Sequence, residues 1–231
     1  MRKINNSSGK RSMIVAFCMM MLTAGDLAAQ EWSFGAYAAP VISWFKSNID
    51  EVENSGARAG FLFSIRAEKH LTENWYFEGG LSLTNSSARL KYNNPSFFRF
   101  PGNTAVLSQG STVVYRIQYL SVPFGIKIKT DGSDEFTYFA GFGIDPKIVV
   151  RGVADIPSIS VKGEGAMDEL DRLNAGYHFD AGLEYALGQS GALVLGIGYE
   201  NNIFDSTVDN DGEIADRAVQ RFIKFIFGIK F

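Results

Sequence analysis

The chain has 231 residues, 22 Lys and Arg against 25 Asp and Glu for a formal net charge of −3, and one cysteine. A single cysteine excludes a disulfide framework, and the acidic balance excludes the basic face that a nucleic-acid partner needs. No apolar run of about twenty residues follows the first 29, which excludes a bundle of transmembrane helices despite 19 Phe and nine Tyr.

The N-terminus reads as a secretory signal. Arg2, Lys3, Lys10 and Arg11 precede an apolar run from Met13 to Ala24 that ends in Leu27-Ala28-Ala29. The run is too short for a stable membrane helix, and cleavage after Ala29 leaves Gln30 first. Residues 1–29 are therefore expected to be removed, with 30–231 forming one domain. Phe17 before Cys18 does not suit a lipoprotein signal. The removed segment holds the only cysteine, four basic residues and one acidic residue, which leaves 18 Lys and Arg against 24 Asp and Glu.

Period-two alternation then predicts eight strands, several about ten residues long, a length that suits a tilted bilayer-spanning strand. The first runs from about Trp32 to Phe45. In the second, Ala59, Phe61, Phe63, Ile65 and Ala67 share one face, and Gly60, Leu62, Ser64, Arg66 and Glu68 the other. The third sets Trp75, Phe77, Gly79, Leu81 and Leu83 against Tyr76, Glu78, Gly80, Ser82 and Thr84. The fourth sets Leu120, Val122, Phe124, Ile126 and Ile128 against Ser121, Pro123, Gly125, Lys127 and Lys129. Its upper part, Val113 to Gln118, alternates in the opposite sense, so a bulge is expected near Gln118 to Leu120.

The fifth strand, Phe136 to Val150, is less regular, like the first; both are counted partly because closure needs an even number. The sixth places Tyr177, Phe179, Ala181, Leu183, Tyr185 and Leu187 outward, with His178, Asp180, Gly182 and Glu184 inward. The seventh sets Leu193, Leu195, Ile197 and Tyr199 against Gly196, Gly198 and Glu200. The eighth carries Val219, Arg221, Ile223, Phe225, Phe227, Ile229 and Phe231 at alternate positions.

Tight turns are expected at Thr72–Asn74, Thr130–Glu135 and Gly188–Gly191. Long polar loops are expected at Lys46–Gly56, Asn93–Thr112, Gly152–Asn174 and Asp205–Ala218. Short periplasmic turns opposite long extracellular loops mark an antiparallel β-barrel of the outer membrane. A terminal Phe231 on such a strand matches the signal read by the barrel-assembly machinery, an expected partner. Outward Trp32, Trp75, Tyr138 and Tyr185 are expected to anchor the barrel at the interfaces.

Four segments resemble the PorT-like outer-membrane β-barrel proteins of Bacteroidota: Tyr119 to Lys127 (YLSVPFGIK), Tyr138 to Gly143 (YFAGFG), Phe179 to Tyr185 (FDAGLEY) and Phe225 to Phe231 (FIFGIKF). The resemblance spans nearly all of the mature chain in loose patterns, and it implies fold and location rather than activity. Some PorT-like proteins serve the type IX secretion and gliding machinery, so a secretion-system or envelope protein is one partner that the resemblance implies.

Inward charges decide what the bore can do. Arg66, Glu68, Glu78, Lys127, Lys129, Glu184 and Lys230 fall within a few residues of the short turns, and His178, Asp180 and Lys224 share the inward faces. Eight strands leave a bore that side chains can fill. Mixed signs there suit a salt-bridged plug, with a narrow path for small or amphiphilic solutes as the alternative.

His178 and Asp180 are spaced like a base with its orienting carboxylate or like two metal ligands. No third ligand or placed serine accompanies them, so no catalytic, cofactor-binding or metal-ligating set is assigned; a lipid-modifying outer-membrane enzyme stays as a lesser reading. The acidic run Asp209 to Glu213 fails the calcium-loop template, whose end positions fall on Thr207 and Ala218. Phe97, Phe98, Arg99 and Phe100 form an apolar loop cluster that either folds inward as a cap or contacts a partner. Outer-membrane lipid and lipopolysaccharide are the expected surroundings, with weak divalent bridging between the acidic loop and lipopolysaccharide phosphates as a further reading.

Overall fold

A computed structural model describes residues 32–130, 135–188, 191–208 and 217–231. The signal segment and its cleavage point lie outside these residues, as does the acidic run 209–213.

The strands are β1 (Trp32–Lys46), β2 (Val52–Thr72), β3 (Trp75–Tyr92), β4 (Ser96–Phe100), β5 (Asn103–Leu107), β6 (Ser111–Ser121), β7 (Phe124–Lys129), β8 (Phe136–Ile156), β9 (Val161–Gly165), β10 (Leu173–Ala186), β11 (Ala192–Asn202) and β12 (Val219–Lys230). Consecutive wall strands pair antiparallel, and β1 closes on β12 from Gly35↔Lys230 to Lys46↔Val219. Counting β6 and β7 as one, the ring has eight strands. Closure leaves no wall strand with an unpaired edge, which the absence of water in a bilayer requires.

Pro123 explains the break between β6 and β7. It has no N–H for the ladder, yet its carbonyl accepts from Gly80 N at 2.9 Å and Val122 N donates to Pro146 O at 2.9 Å. The register against β3 is the same on both sides, Ser82↔Ser121 and Gly79↔Phe124.

The expected bulge has a different place and a different consequence. The register shift does fall between Gln118 and Tyr119, but the extra residue, Val150, stands on β8, between Gln118↔Arg151 and Tyr119↔Val149. β6 therefore never changes face: Val113, Tyr115, Ile117 and Tyr119 all point inward and are buried. The sequence pattern reversed because the upper bore is apolar, whereas the lower bore is charged.

The loops are more structured than the sequence implied. β2 starts at Val52, inside the expected first loop, and takes up register shifts between Asn54 and Ala57 and between Ala57 and Phe61. β4 and β5 form a separate hairpin within the second long loop, and β9 pairs with the upper end of β8 within the third. At 21 residues each, β2 and β8 are about twice the length needed to cross a bilayer, so the wall extends into the extracellular space.

Outward side chains of the lower wall form an apolar belt, with Ile65 at 68%, Leu81 at 58% and Phe142 at 52% exposure. Trp32, Trp75, Tyr138 and Tyr185 are exposed beside the short turns, forming an aromatic girdle on the periplasmic side.

Curvature this tight needs close backbone approach. A Cβ on Gly182 would press into the Leu195 carbonyl and the Phe139 ring, whereas one on outward Gly79 would meet nothing nearer than the Phe77 ring at 3.4 Å. Gly182→Ala is therefore expected to destabilise the folded barrel by about 1–3 kcal/mol, as overpacking typically does, with Gly79→Ala close to neutral. Urea midpoints of the two variants check this; equal midpoints contradict it.

Candidate functional site: a charged bore under an apolar lid

Twelve charged side chains fill the lower bore, Arg66, Lys127, Lys129, Lys147, Lys224 and Lys230 with Glu68, Glu78, Asp145, Asp180, Glu184 and Glu200; eleven of them pair with one another, and Asp145 pairs with His178. They arise from every barrel strand except β1. Alternation puts each on the inner face, and inner-wall glycines leave room for the long side chains.

The pairs join into one chain of alternating sign. Lys230 pairs with Glu184, which meets Lys129 at 2.9 Å, and Lys129 pairs with Glu68. Glu68 and Glu78 share Lys127, and Glu78 holds Arg66 at 2.7 Å. Arg66 reaches Asp180 at 3.4 Å, and Asp180 lies 3.6 Å from Lys224. Lys224 meets Glu200 at 3.4 Å, and Glu200 closes the series on Lys147. The chain holds six cations and five anions, and Asp145, held beside it by His178, is the sixth carboxylate, so the bore's Lys and Arg are matched in number by its Asp and Glu, the condition for burying charges without leaving one uncompensated.

Aromatic rings complete the packing. Arg66 lies 5.2 Å from the Tyr37 ring centroid, Lys127 4.8 Å from Phe139 and Lys129 4.5 Å from Tyr76. Such cation–π contacts suit ammonium groups withdrawn from water.

All ten inward residues expected from the sequence face the bore, and nine of them join this chain. The tenth, His178, pairs through Nδ1 with Asp145 at 2.9 Å rather than with Asp180, which is held by Arg66 and Lys224. Three of the bore's charges were missed: Asp145, Lys147 and Glu200. The first two flank Pro146 in the least regular part of β8. Glu200 was placed on the inward face but not joined to the network.

Above the charges the bore turns apolar. Phe45, Val52, Leu90, Phe98, Val113, Tyr115, Ile117, Ile156 and Leu170 belong to one buried cluster. The Tyr115 ring packs edge-on to Phe45 at 5.6 Å, and its hydroxyl meets that of Tyr92 at 3.1 Å. The storeys meet at Tyr119 and Phe222, whose ring centroids lie 5.5 Å and 5.3 Å from Lys147 Nζ. The Tyr119 hydroxyl donates to Gln220 at 2.9 Å.

The aromatic loop has one side turned into the core and one turned out. Phe98 is fully buried in the apolar cluster and Phe100 packs against it, while Phe97 is exposed opposite Val106 on the outer face of the β4–β5 hairpin. The Arg99 backbone N–H donates to the Glu169 carboxylate, which ties the hairpin to the third loop. Phe231 continues the closing seam: its N–H donates to Phe34 O at 2.8 Å and its carbonyl accepts from Phe34 N at 2.9 Å.

Glu68 is the hub, since it faces Lys127, Lys129 and Lys230. Glu68→Gln is expected to cost about 3–5 kcal/mol of unfolding free energy, because it leaves surplus buried positive charge, and adding Lys127→Met should return part of the loss. Urea titration of the folded form in detergent measures both. A double variant no more stable than Glu68→Gln alone would contradict the pairing argument.

The sequence matches the model of the outer membrane protein beta-barrel domain over residues 28–208. No curated protein matches the chain. Among solved structures, neisserial surface protein A is similar at 15% identity and a TM-score of 0.50, covering 86% of this chain and 95% of that one. OprG from Pseudomonas aeruginosa is similar at 11% identity and a TM-score of 0.46, covering 87% and 96%. The eight-stranded ring, its apolar belt and the family match agree: the chain belongs to the outer membrane protein beta-barrel domain family and resides in the outer membrane.

Proposed function

We propose that this barrel is a non-conducting, non-enzymatic anchor that holds a structured set of loops on the cell surface. The observation carrying this reading is the two-storey filling of the bore. A continuous ion-pair chain, charge-balanced by Asp145 beside it, occupies the lower half and an apolar cluster the upper half, so an ion entering from either side would have to displace paired charges or cross a dry layer.

Catalysis finds no support in the geometry. His178 and Asp145 are both buried among paired charges, facing away from the lipid interface where an acyl-transfer site would work. Contacts belong to the loops instead. Phe97 and Val106 form the exposed face of the β4–β5 hairpin, which Phe98 roots in the core beneath, a rigid display suited to a protein partner.

The likeness of the fourth, fifth, sixth and last wall strands to PorT-like barrels supports placing the chain in that group, and with it a role beside type IX secretion components as a second reading. Deleting the gene tests that role: it predicts retained cargo while other outer-membrane proteins stay normal, and unaltered export removes it.

Purified barrel in a planar bilayer is expected to give no unitary current steps at physiological salt. Stable steps of one size overturn the closed bore and favour the narrow-channel reading. Lipid A and phospholipid acyl profiles are expected to be unchanged in the deletion strain, and an altered acyl pattern would point to an enzyme.

A further inference from the structure

Above the apolar belt, the outer wall carries a groove of about 810 Å³ between β2, β3, β6 and the overhanging third loop. Arg58, Arg89 and Lys162 supply its charge, and Thr112, Ser158 and Ser160 its hydroxyls. Arg89 alternates with buried Ala88 and Leu90, and Val114 stands between inward Val113 and Tyr115, so the groove opens on the outside of the wall rather than into the bore.

The cations are free to bind. Arg58, Arg89 and Lys162 form no ion pair among the described residues, and Arg89 Nε is buried without a hydrogen-bond partner. The one acid in the lining, Asp155, is already neutralised: it holds Arg116 at 2.8 Å and accepts from Gly163 N at 2.6 Å.

Height above the membrane selects the ligand. The belt's last apolar residue on β3 is Leu83, and polar pairing begins with Asn85 and Gln118, 2.9 Å apart. Arg89 lies four residues further up, about 13 Å along the strand and about 10 Å along the bilayer normal at an ordinary barrel tilt. In the outer leaflet of an outer membrane, that zone holds the phosphorylated sugars of lipopolysaccharide.

The geometry points to a lipopolysaccharide-binding groove, in which Arg58, Arg89 and Lys162 hold phosphate groups of the glycolipid and the serine and threonine hydroxyls meet its sugar. Arginine forks match phosphate oxygens in pairs, and a partly desolvated guanidinium makes the contact strong. An occupied groove also fixes the barrel's depth and rotation against its own lipid.

The test titrates the detergent-solubilised full-length barrel with bis-phosphorylated lipid A, with the same lipid dephosphorylated, and with glucosamine 6-phosphate. Bis-phosphorylated lipid A is expected to bind at least about tenfold tighter than the other two, and Arg89→Ala to weaken it about tenfold, the scale of one charged hydrogen bond. Lys162→Glu, on an exposed strand outside the barrel wall, should weaken binding at least as much without altering the urea midpoint, while Lys69→Ala at the periplasmic rim should change nothing. Equal affinity for the two lipids, or unchanged binding by both groove variants, overturns the proposal. Equally tight binding of glucosamine 6-phosphate overturns the lipid assignment and gives the groove to a soluble sugar phosphate.

Discussion

The alternating chain of buried ion pairs sets the terms for the rest of the barrel. A strand pointing Lys or Glu inward must point its other face at lipid, and a one-residue slip would exchange the two. On β2, that slip would send Arg66 and Glu68 into hydrocarbon and Phe63 and Ile65 into the bore. Charges at membrane depth cost several kcal/mol each, so the pairing register is specified twice, from inside by charge complementarity and from outside by the apolar belt. Each acid in the chain is also shared across strands that are distant in sequence, as Glu68 on β2 is with β7 and β12.

Size then follows from charge. Lysine and arginine side chains crossing a narrow bore need room that a wall of ordinary residues would deny, and inner-wall glycines provide it. Gly228 lies under the Tyr37 ring, and Gly198 under Asp180 and Lys224. Where the wall leaves the membrane the constraint lifts, and aromatic residues take over the filling. Tyr119 and Phe222 sit at that boundary because each offers a ring to Lys147 below and apolar surface to the lid above.

How much of this the sequence discloses depends on whether a residue's signal is local. Belt residues such as Phe61, Phe63 and Ile65 repeat every second position, so the faces of β2, β3 and β10 were legible, as was the tight turn at Thr72–Asn74; the other two expected turns run through residues 131–134 and 189–190, outside the described residues. Pairing across the bore was not. His178 and Asp180 are neighbours on one strand, yet His178 finds Asp145 diagonally on β8 and Asp180 finds Arg66 and Lys224, because partner choice in a closed ring is set by interstrand register rather than sequence spacing. Val113, Tyr115 and Ile117 misled for a related reason. An apolar row reads as lipid-facing only if the bore beneath it is polar, and the height at which the bore changes character is a property of the whole ring.

Electrostatic separation between inside and outside follows from the same ledger of charges. The six Lys and Arg and the six Asp and Glu of the bore sum to zero, so the net negative charge left after residue 29 belongs to the remaining residues. Against that acidic exterior, three cations lining one groove, with its single acid already neutralised, are a local inversion that average composition does not produce. Buried charges must satisfy one another, because nothing else is available to them. Charges on the outer wall have no such obligation, and those left unpaired beside hydroxyls at headgroup height are the basis of the proposed lipopolysaccharide contact. One chain thus uses charge in two ways, as an internal framework inside the wall and, in the groove we propose, as a recognition surface outside it.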